Sequence, residues 1–271
     1  MLRVKEAFLK NFPSQHGAWS VLVWGWAIGT FSSMNYHFKS FLWLFIIIVG
    51  FCLRHSLVSA VKSWKLRGTF PHPYEFIVMF LYGILISVGF IVLVLFYHLN
   101  YLILFAILFI MLSGINLIIE LEGKHLTTAG EIAGMVSLST VVPASYYVAS
   151  EYLNYRAGVI WVLSLYLFAG SVFHVRYMVR ERRAHTLSIS NRLIAGKSSI
   201  IFHLFGFMIF LFAAIYHIMP PLNILAVSIV FFRALWMIIK KWKEPLEVRK
   251  IGFIELFITS VFSIIVIAVN R

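Results

Sequence analysis

Aspartate is absent from this chain; all ten of its acidic residues are glutamate. Sites that hold Mg²⁺ against a diphosphate need clustered hard carboxylate oxygens, so this absence argues against an Asp-rich Mg²⁺ centre. Cysteine is nearly absent too. The single Cys52 lies in an apolar run, which excludes a disulfide framework and argues against a thiolate metal site. Charge is scarce, at 12% of residues, roughly half the share expected of a soluble domain. Disordered, collagen-like and coiled-coil readings fail on the same composition.

What remains is apolar: 61% of residues are hydrophobic, 17% are aromatic, and the mean hydropathy is +0.92. At about 20 apolar residues per membrane crossing, 271 residues hold nine or ten helices and no sizeable soluble domain. The net charge of +13 fits basic loops at an anionic membrane face better than a nucleic-acid surface.

Apolar runs lie at roughly 17–34, 40–60, 75–97, 100–119, 128–149, 157–178, 199–217, 221–239 and 252–269. Lipid leaves no water to satisfy an open strand, so these runs are read as helices. The expected fold is all-α, a polytopic membrane protein of one domain spanning residues 1–271, with residues 1–15 as a retained basic cytoplasmic arm. Very short linkers, such as Tyr97-His98-Leu99-Asn100, join antiparallel neighbours. With Arg54 and Arg176 counted at the ends of the second and sixth spans, 19 Lys and Arg fall on the N-terminal side of the bundle and three on the other, with Arg233 left inside the eighth span. The positive-inside rule then puts the N-terminus in the cytoplasm and the C-terminus outside. The expected location is the cytoplasmic membrane.

Ionisable residues in spans are expensive and suggest function. Here they gather at the inner ends: His16 in the first span, Arg54 and His55 in the second, Glu120 and Glu122 in the fourth, Glu131 in the fifth. His174, Arg176 and Arg180 run off the sixth, His203 starts the seventh, Arg233 lies in the eighth and Glu255 opens the ninth. Arg176, Arg180 and Arg183 are spaced to share one helix face. Planar guanidinium forks suit phosphate or carboxylate, although a basic helix end also simply snorkels to lipid headgroups. Arg233 is about ten Å of helix from Lys240, so it should face the interior and pair with Glu131 or Glu255. Gly130 and Gly134 flank Glu131 in a small-xxx-small pattern that brings helices close. The ten histidines raise haem as a weaker alternative, which needs two axial His on facing helices.

The segment Pro13-Ser-Gln-His-Gly-Ala-Trp19 resembles the opening of the YwiC-like family of bacterial membrane proteins. The likeness continues through Gly130-Glu131-Ile-Ala-Gly134, Pro143-Ala-Ser-Tyr-Tyr147 and the Val175-Arg176 to Arg182 run. More distantly, nine spans with polar stretches after the second and sixth resemble the UbiA-type intramembrane prenyltransferases. That resemblance implies a UbiA-like bundle, in which both stretches would carry Asp-rich Mg²⁺ and diphosphate motifs. Here they read Arg54-His-Ser-Leu-Val-Ser-Ala-Val-Lys62 and His174-Val-Arg-Tyr-Met-Val-Arg180. Bases stand where the related fold has acids, so standard prenyl transfer is not expected, nor is any cofactor.

The expected function is binding of an anionic amphipathic lipid or isoprenoid-type ligand, its tail in the bundle. Arg54, Arg176, Arg180, His16, His174, Glu131 and Arg233 are the candidate ligand-binding residues, with no catalytic or metal-ligating residue assigned. The alternatives are a noncanonical lipid or prenyl transferase, and an accessory subunit of a membrane complex such as a respiratory one. Expected partners are membrane lipids and a possible membrane protein, with no nucleic acid.

Overall fold

The computed structural model describes residues 16–68, 72–123, 127–183, 188–240 and 247–271; the side chains of residues 16, 66, 67, 180–183 and 248 lie outside that description. The described residues form helices and connecting turns. In chain order these are α1 (His16–Phe31), α2 (Phe38–Arg67), α3 (Pro73–Ile91, continued by a π-helical turn over Val92–Phe96), α4 (Leu102–Leu121), α5a (Thr128–Ser139), α5b (Val141–Ser150), α6 (Tyr155–Arg183), α7 (Ile189–Ile215), α8 (Asn223–Ile239) and α9 (Val248–Asn270). With α5a and α5b taken as one span, the described helices number nine. Seven are long and apolar enough to cross a membrane, and α8 is a shorter apolar helix of 17 residues.

The break in α5 has a local cause. Pro143 has no N–H to donate, and its ring crowds the carbonyl of Ser139. The helix parts at Thr140, between those two residues. Helix starts are also legible. Thr127 accepts from the Gly130 N–H, and Ser188 caps α7 through the Asn191 N–H.

Several helices run past the apolar stretches that announce them. The sixth extends to Arg183 and the seventh begins at Ile189, whereas the hydropathy pattern ends one near 178 and starts the next near 199. The long basic loop expected there is mostly helix. Hydropathy marks the hydrocarbon boundary, and backbone hydrogen bonding continues beyond it into the headgroup region.

The α5 pair is the centre of the bundle, although it is the least apolar of the seven long spans. Of its most apolar stretch 72% is buried, against 11% for α4, and every residue of α5b is buried. Small and hydroxyl-bearing residues let helices approach closely in a membrane, where hydrophobicity gives no preference for the interior. Trp43 and Trp161 each donate an indole N–H to an α5 serine, Ser145 at 3.1 Å and Ser139 at 3.0 Å. At Gly29 of α1, a Cβ would lie 2.2 Å from the Val142 carbonyl oxygen, so only glycine permits the α1–α5b contact. Helices α1, α5, α6 and α9 pack around one another, with α2, α3 and α4 on one flank and α7 and α8 on the other. Phe80, Phe96, Ile110 and Phe205, all more than two-thirds exposed, face outward as lipid requires.

The two ends differ. The turns joining α1 to α2, α3 to α4, α5b to α6 and α7 to α8 each pass through a left-handed non-glycine residue: Met34, His98, Glu151 and His217. At the opposite end the left-handed residues are Gly68 and Gly123. The polar site lies at that second end.

Candidate functional site: a charged cavity between six helices

Residues of α1, α2, α4, α5a, α6 and α9 surround a cavity of about 1130 Å³. That is at the upper end of the roughly 300–1,000 Å³ usual for small-molecule pockets. Its polar wall carries Arg54 from α2, Asn116 and Glu120 from α4, Glu131 from α5a, Arg176 from α6, and Arg249 and Glu255 from α9. Val21, Phe168, Val172, Phe253 and Leu256 supply an apolar wall. Arg54 and Arg176, 122 positions apart in the chain, therefore line the same space.

The charges are arranged unevenly. Arg176 Nη1 donates to Glu131 Oε2 at 2.8 Å, and about a third of each side chain remains exposed. Lys62 holds Glu120 at 2.7 Å. Arg54, by contrast, donates through Nη2 to Oδ1 of a neutral amide, Asn116. That amide is fixed from behind, because its Nδ2 donates to the Gly130 carbonyl at 3.3 Å, where the small residues of α5a admit α4. Arg54 thus presents a positive charge to the cavity while hydrogen-bonded to a group that carries none.

Behind the cavity is a second polar group, sealed from it except through Glu255. Arg233 Nη1 donates to Glu255 Oε2 at 2.5 Å, with side-chain exposures of 4% and 12%. This is the carboxylate partner expected of Arg233, and of the two candidates it is Glu255. His174 and His203 lie beside the pair, 0% and 1% exposed.

Of the sequence-selected residues, then, Arg54, Glu131 and Arg176 meet at the cavity. His174 and Arg233 are outside its lining, for a physical reason. Both lie on faces of α6 and α8 that turn toward neighbouring helices, and Glu255 holds Arg233 through Nη1. The side chains of His16 and Arg180 lie outside the described residues. Among the described residues no group of three or more His, Cys or Glu is placed to hold a metal ion.

Two functional-looking residues escaped the sequence reading. Asn116 had a signal, as a lone amide in the apolar α4. Arg192 was counted with a loop, yet it is buried in α7, where Nη1 donates to the carbonyls of Ile238, Ile239 and Lys240 at 3.3, 3.2 and 2.8 Å. It closes the C-terminal end of α8, where a cation also meets the negative end of the helix dipole.

Among the described residues, nine helices, seven of them long and apolar, with a charged cavity between six of the nine, define a multi-pass integral membrane protein. The sequence model of the family described as YwiC-like protein matches residues 12–146. Through that stretch, which runs from before α1 into α5b, the chain belongs to the YwiC-like family. No curated protein and no solved structure matches the chain.

Proposed function

We propose that the cavity binds the anionic head of an amphipathic lipid, isoprenoid-type lipids included, with Arg54 and Arg176 as its principal contacts and the apolar wall receiving the tail. The carrying observation is Arg54, a cation held by a neutral amide at the edge of a 1130 Å³ cavity. The carboxylate that acts on Arg54 through space, Glu120, is already held by Lys62. A partly buried cation thus shares its counter-charge with a lysine, which is costly, and an anionic head lowers that cost. Arg176 adds a fork whose present partner, Glu131, is exposed enough to yield to a competing anion. Arg180, one turn further along α6, is read as extending this basic face, and His16 as a further donor at the mouth.

The same reading takes the N-terminus to be cytoplasmic and the membrane to be the cytoplasmic one. A reporter fused after Ile194 should read inside, and reporters after Tyr97 or Arg271 outside. What supports a UbiA-like layout is the number of helices together with Arg54 in the second span and Arg176 toward the end of the sixth. Those are the places where such enzymes hold a diphosphate.

The test is lipid mass spectrometry of the protein purified in mild detergent, followed by titration with hexadecyl phosphate. A charged hydrogen bond in a desolvated site is worth about 1.5–3 kcal/mol, so Arg54→Ala or Arg176→Ala should weaken retention roughly ten-fold or more. Arg176→Lys should rescue poorly, because it keeps the charge and loses the fork, while Arg182→Ala should change little. Equal small losses in all the alanine variants would reduce the arginines to headgroup anchors.

A further inference from the structure

The sealed group behind the cavity has hydrogen-bonding capacity that nothing uses. Four helices contribute one ionisable residue each: His174 from α6, His203 from α7, Arg233 from α8 and Glu255 from α9. Glu255 Oε2 is taken by Arg233, but its other oxygen, Oε1, accepts no hydrogen bond. That free oxygen lies 3.6 Å from Nε2 of His174, and neither ring nitrogen of His174 or His203 has a partner. The site is tight as well as polar, since His203 Cε1 would lie 2.5 Å from a Cβ at Gly170, so α7 reaches α6 only because that residue is glycine. Buried polar groups are normally satisfied, and a carboxylate facing an imidazole inside a membrane bundle is the arrangement of a proton relay.

The charge count gives this relay a purpose. Arg233 and Glu255 cancel, so with uncharged imidazoles, the form that a water-free site favours, the group carries no net charge. One added proton makes it +1 in a place closed to water, which is uphill by itself. Glu255 is the exception to that closure, because it also lines the cavity. An anion in the cavity supplies the compensating charge.

We infer that the Glu255–His174 pair takes up one proton from solvent when an anionic head enters the cavity, and returns it when the head leaves. The inference rests on the anionic-head reading above. The proton enters from the cavity that Glu255 lines, and a rotation of the Glu255 carboxylate gives it access to the buried Oε1. A side-chain movement of well under 1 Å brings His174 Nε2 to hydrogen-bond distance, and the proton is then shared by the pair. No covalent bond other than O–H or N–H forms or breaks, and the proton donor is buffer or water. The charged and titratable groups around the pair are Arg233 on α8, His203 on α7, Tyr166 and Arg176 on α6, Arg249 on α9 and, across the cavity, Arg54 on α2 with Glu120 and Glu131 on α4 and α5a; α1 adds none among its described side chains. By linkage, anion and proton tighten each other's binding equally.

The experiment is calorimetric titration of the full chain in detergent with dioctanoyl phosphatidylglycerol, between pH 6 and 8, in two buffers of different ionisation enthalpy. This phosphodiester keeps a single negative charge throughout, so any proton counted belongs to the protein. The expected result is uptake approaching one proton per lipid bound, with affinity rising by up to about ten-fold per unit fall in pH. His174→Gln and Glu255→Gln should each lose that uptake. Binding by the unaltered chain without proton uptake overturns the inference and leaves the anionic-head reading standing. Uptake that persists in both variants also overturns it, by assigning the proton elsewhere. No binding at all removes both readings. The unaltered chain decides the first and last of these outcomes, and a variant counts only where it still binds the lipid, so that loss of uptake is read apart from loss of fold.

Discussion

Two Arg–Glu pairs face each other across the wall of the cavity, with the same chemistry and opposite circumstances. Arg176–Glu131 joins α6 to α5a at 2.8 Å with about a third of each side chain exposed, while Arg233–Glu255 joins α8 to α9 at 2.5 Å and is almost sealed. In the open pair, water or a ligand head can take the place of either partner at little cost. In the sealed pair, neither partner can be left alone. The difference shows that an arginine's residue type and its place in a span do not assign it to a ligand. What assigns it is whether the opposing carboxylate can be exchanged.

The largest expected effect comes from opening the sealed pair. Arg233→Ala leaves Glu255 buried without its counter-charge, and removal of one partner of such a pair costs about 3–5 kcal/mol. A large drop in thermal unfolding temperature in detergent is expected. The double variant Arg233→Met with Glu255→Leu should recover most of that loss, because an apolar pair of similar volume leaves no stranded charge. If the double variant is as unstable as the single one, the pair is more than a buried neutral unit and the contrast fails.

Next in size is the small-residue contact that keeps α1 on α5b. Gly29→Val drives a side chain into the Val142 carbonyl, which a Cβ alone would approach to 2.2 Å, and overpacking of this kind costs about 1–3 kcal/mol or more. Gly17, at the cavity mouth, meets nothing within 4 Å. Gly17→Ala should leave unfolding unchanged, so the two variants compared in one unfolding assay separate packing of the centre from lining of the cavity.

For the open pair, Arg176→Ala should cost no more than about 1 kcal/mol of stability, the range of exposed ion pairs, while weakening alkyl phosphate retention as described above. Loss of stability comparable to that of Arg233→Ala would make the open pair structural and break the comparison from the other side.

The smallest effect is expected at the far end of the bundle, where buried Lys39 holds exposed Glu151. Hydrogen bonding and charge from Lys39 pull the Glu151 carboxyl below its ordinary value of 4.5. A depressed carboxylate stabilises the folded chain above that value and loses its contribution as pH falls toward and through its lowered value. Glu151→Gln should therefore flatten a slight acid-side loss of stability below about pH 4.5 and change nothing near neutrality. Unfolding measured in both proteins across that range checks it.

The number of helices, their approximate positions and the gathering of ionisable residues near one end were legible in the chain, because hydropathy is local and a membrane-crossing helix must span the same thickness of hydrocarbon; seven of the nine described helices are long enough to do so. The ends of α6 and α7 were misjudged, since backbone hydrogen bonding carries a helix beyond the apolar stretch. Arg192 is the clearest loss. Its residue type and basic neighbourhood read as a solvated loop, and only the docking of α7 against α8 shows it capping the carbonyls of residues 238–240.

By itself the sequence determined a multi-pass helical membrane protein, the lack of any Asp-rich motif, and the need of Arg233 for a carboxylate. It could not choose between Glu131 and Glu255, which stand at the inner ends of two different spans. That choice fell to tertiary packing. Helix α8 lies against α9, which delivers Glu255 to Arg233, and α5a lies against α6, which delivers Glu131 to Arg176. Pairing depends on which faces of which helices meet, and residues more than twenty positions apart carry no local signal of that. The same packing made a cavity arginine of Arg54, by giving it the neutral Asn116 as hydrogen-bond partner while Lys62 holds the nearby Glu120.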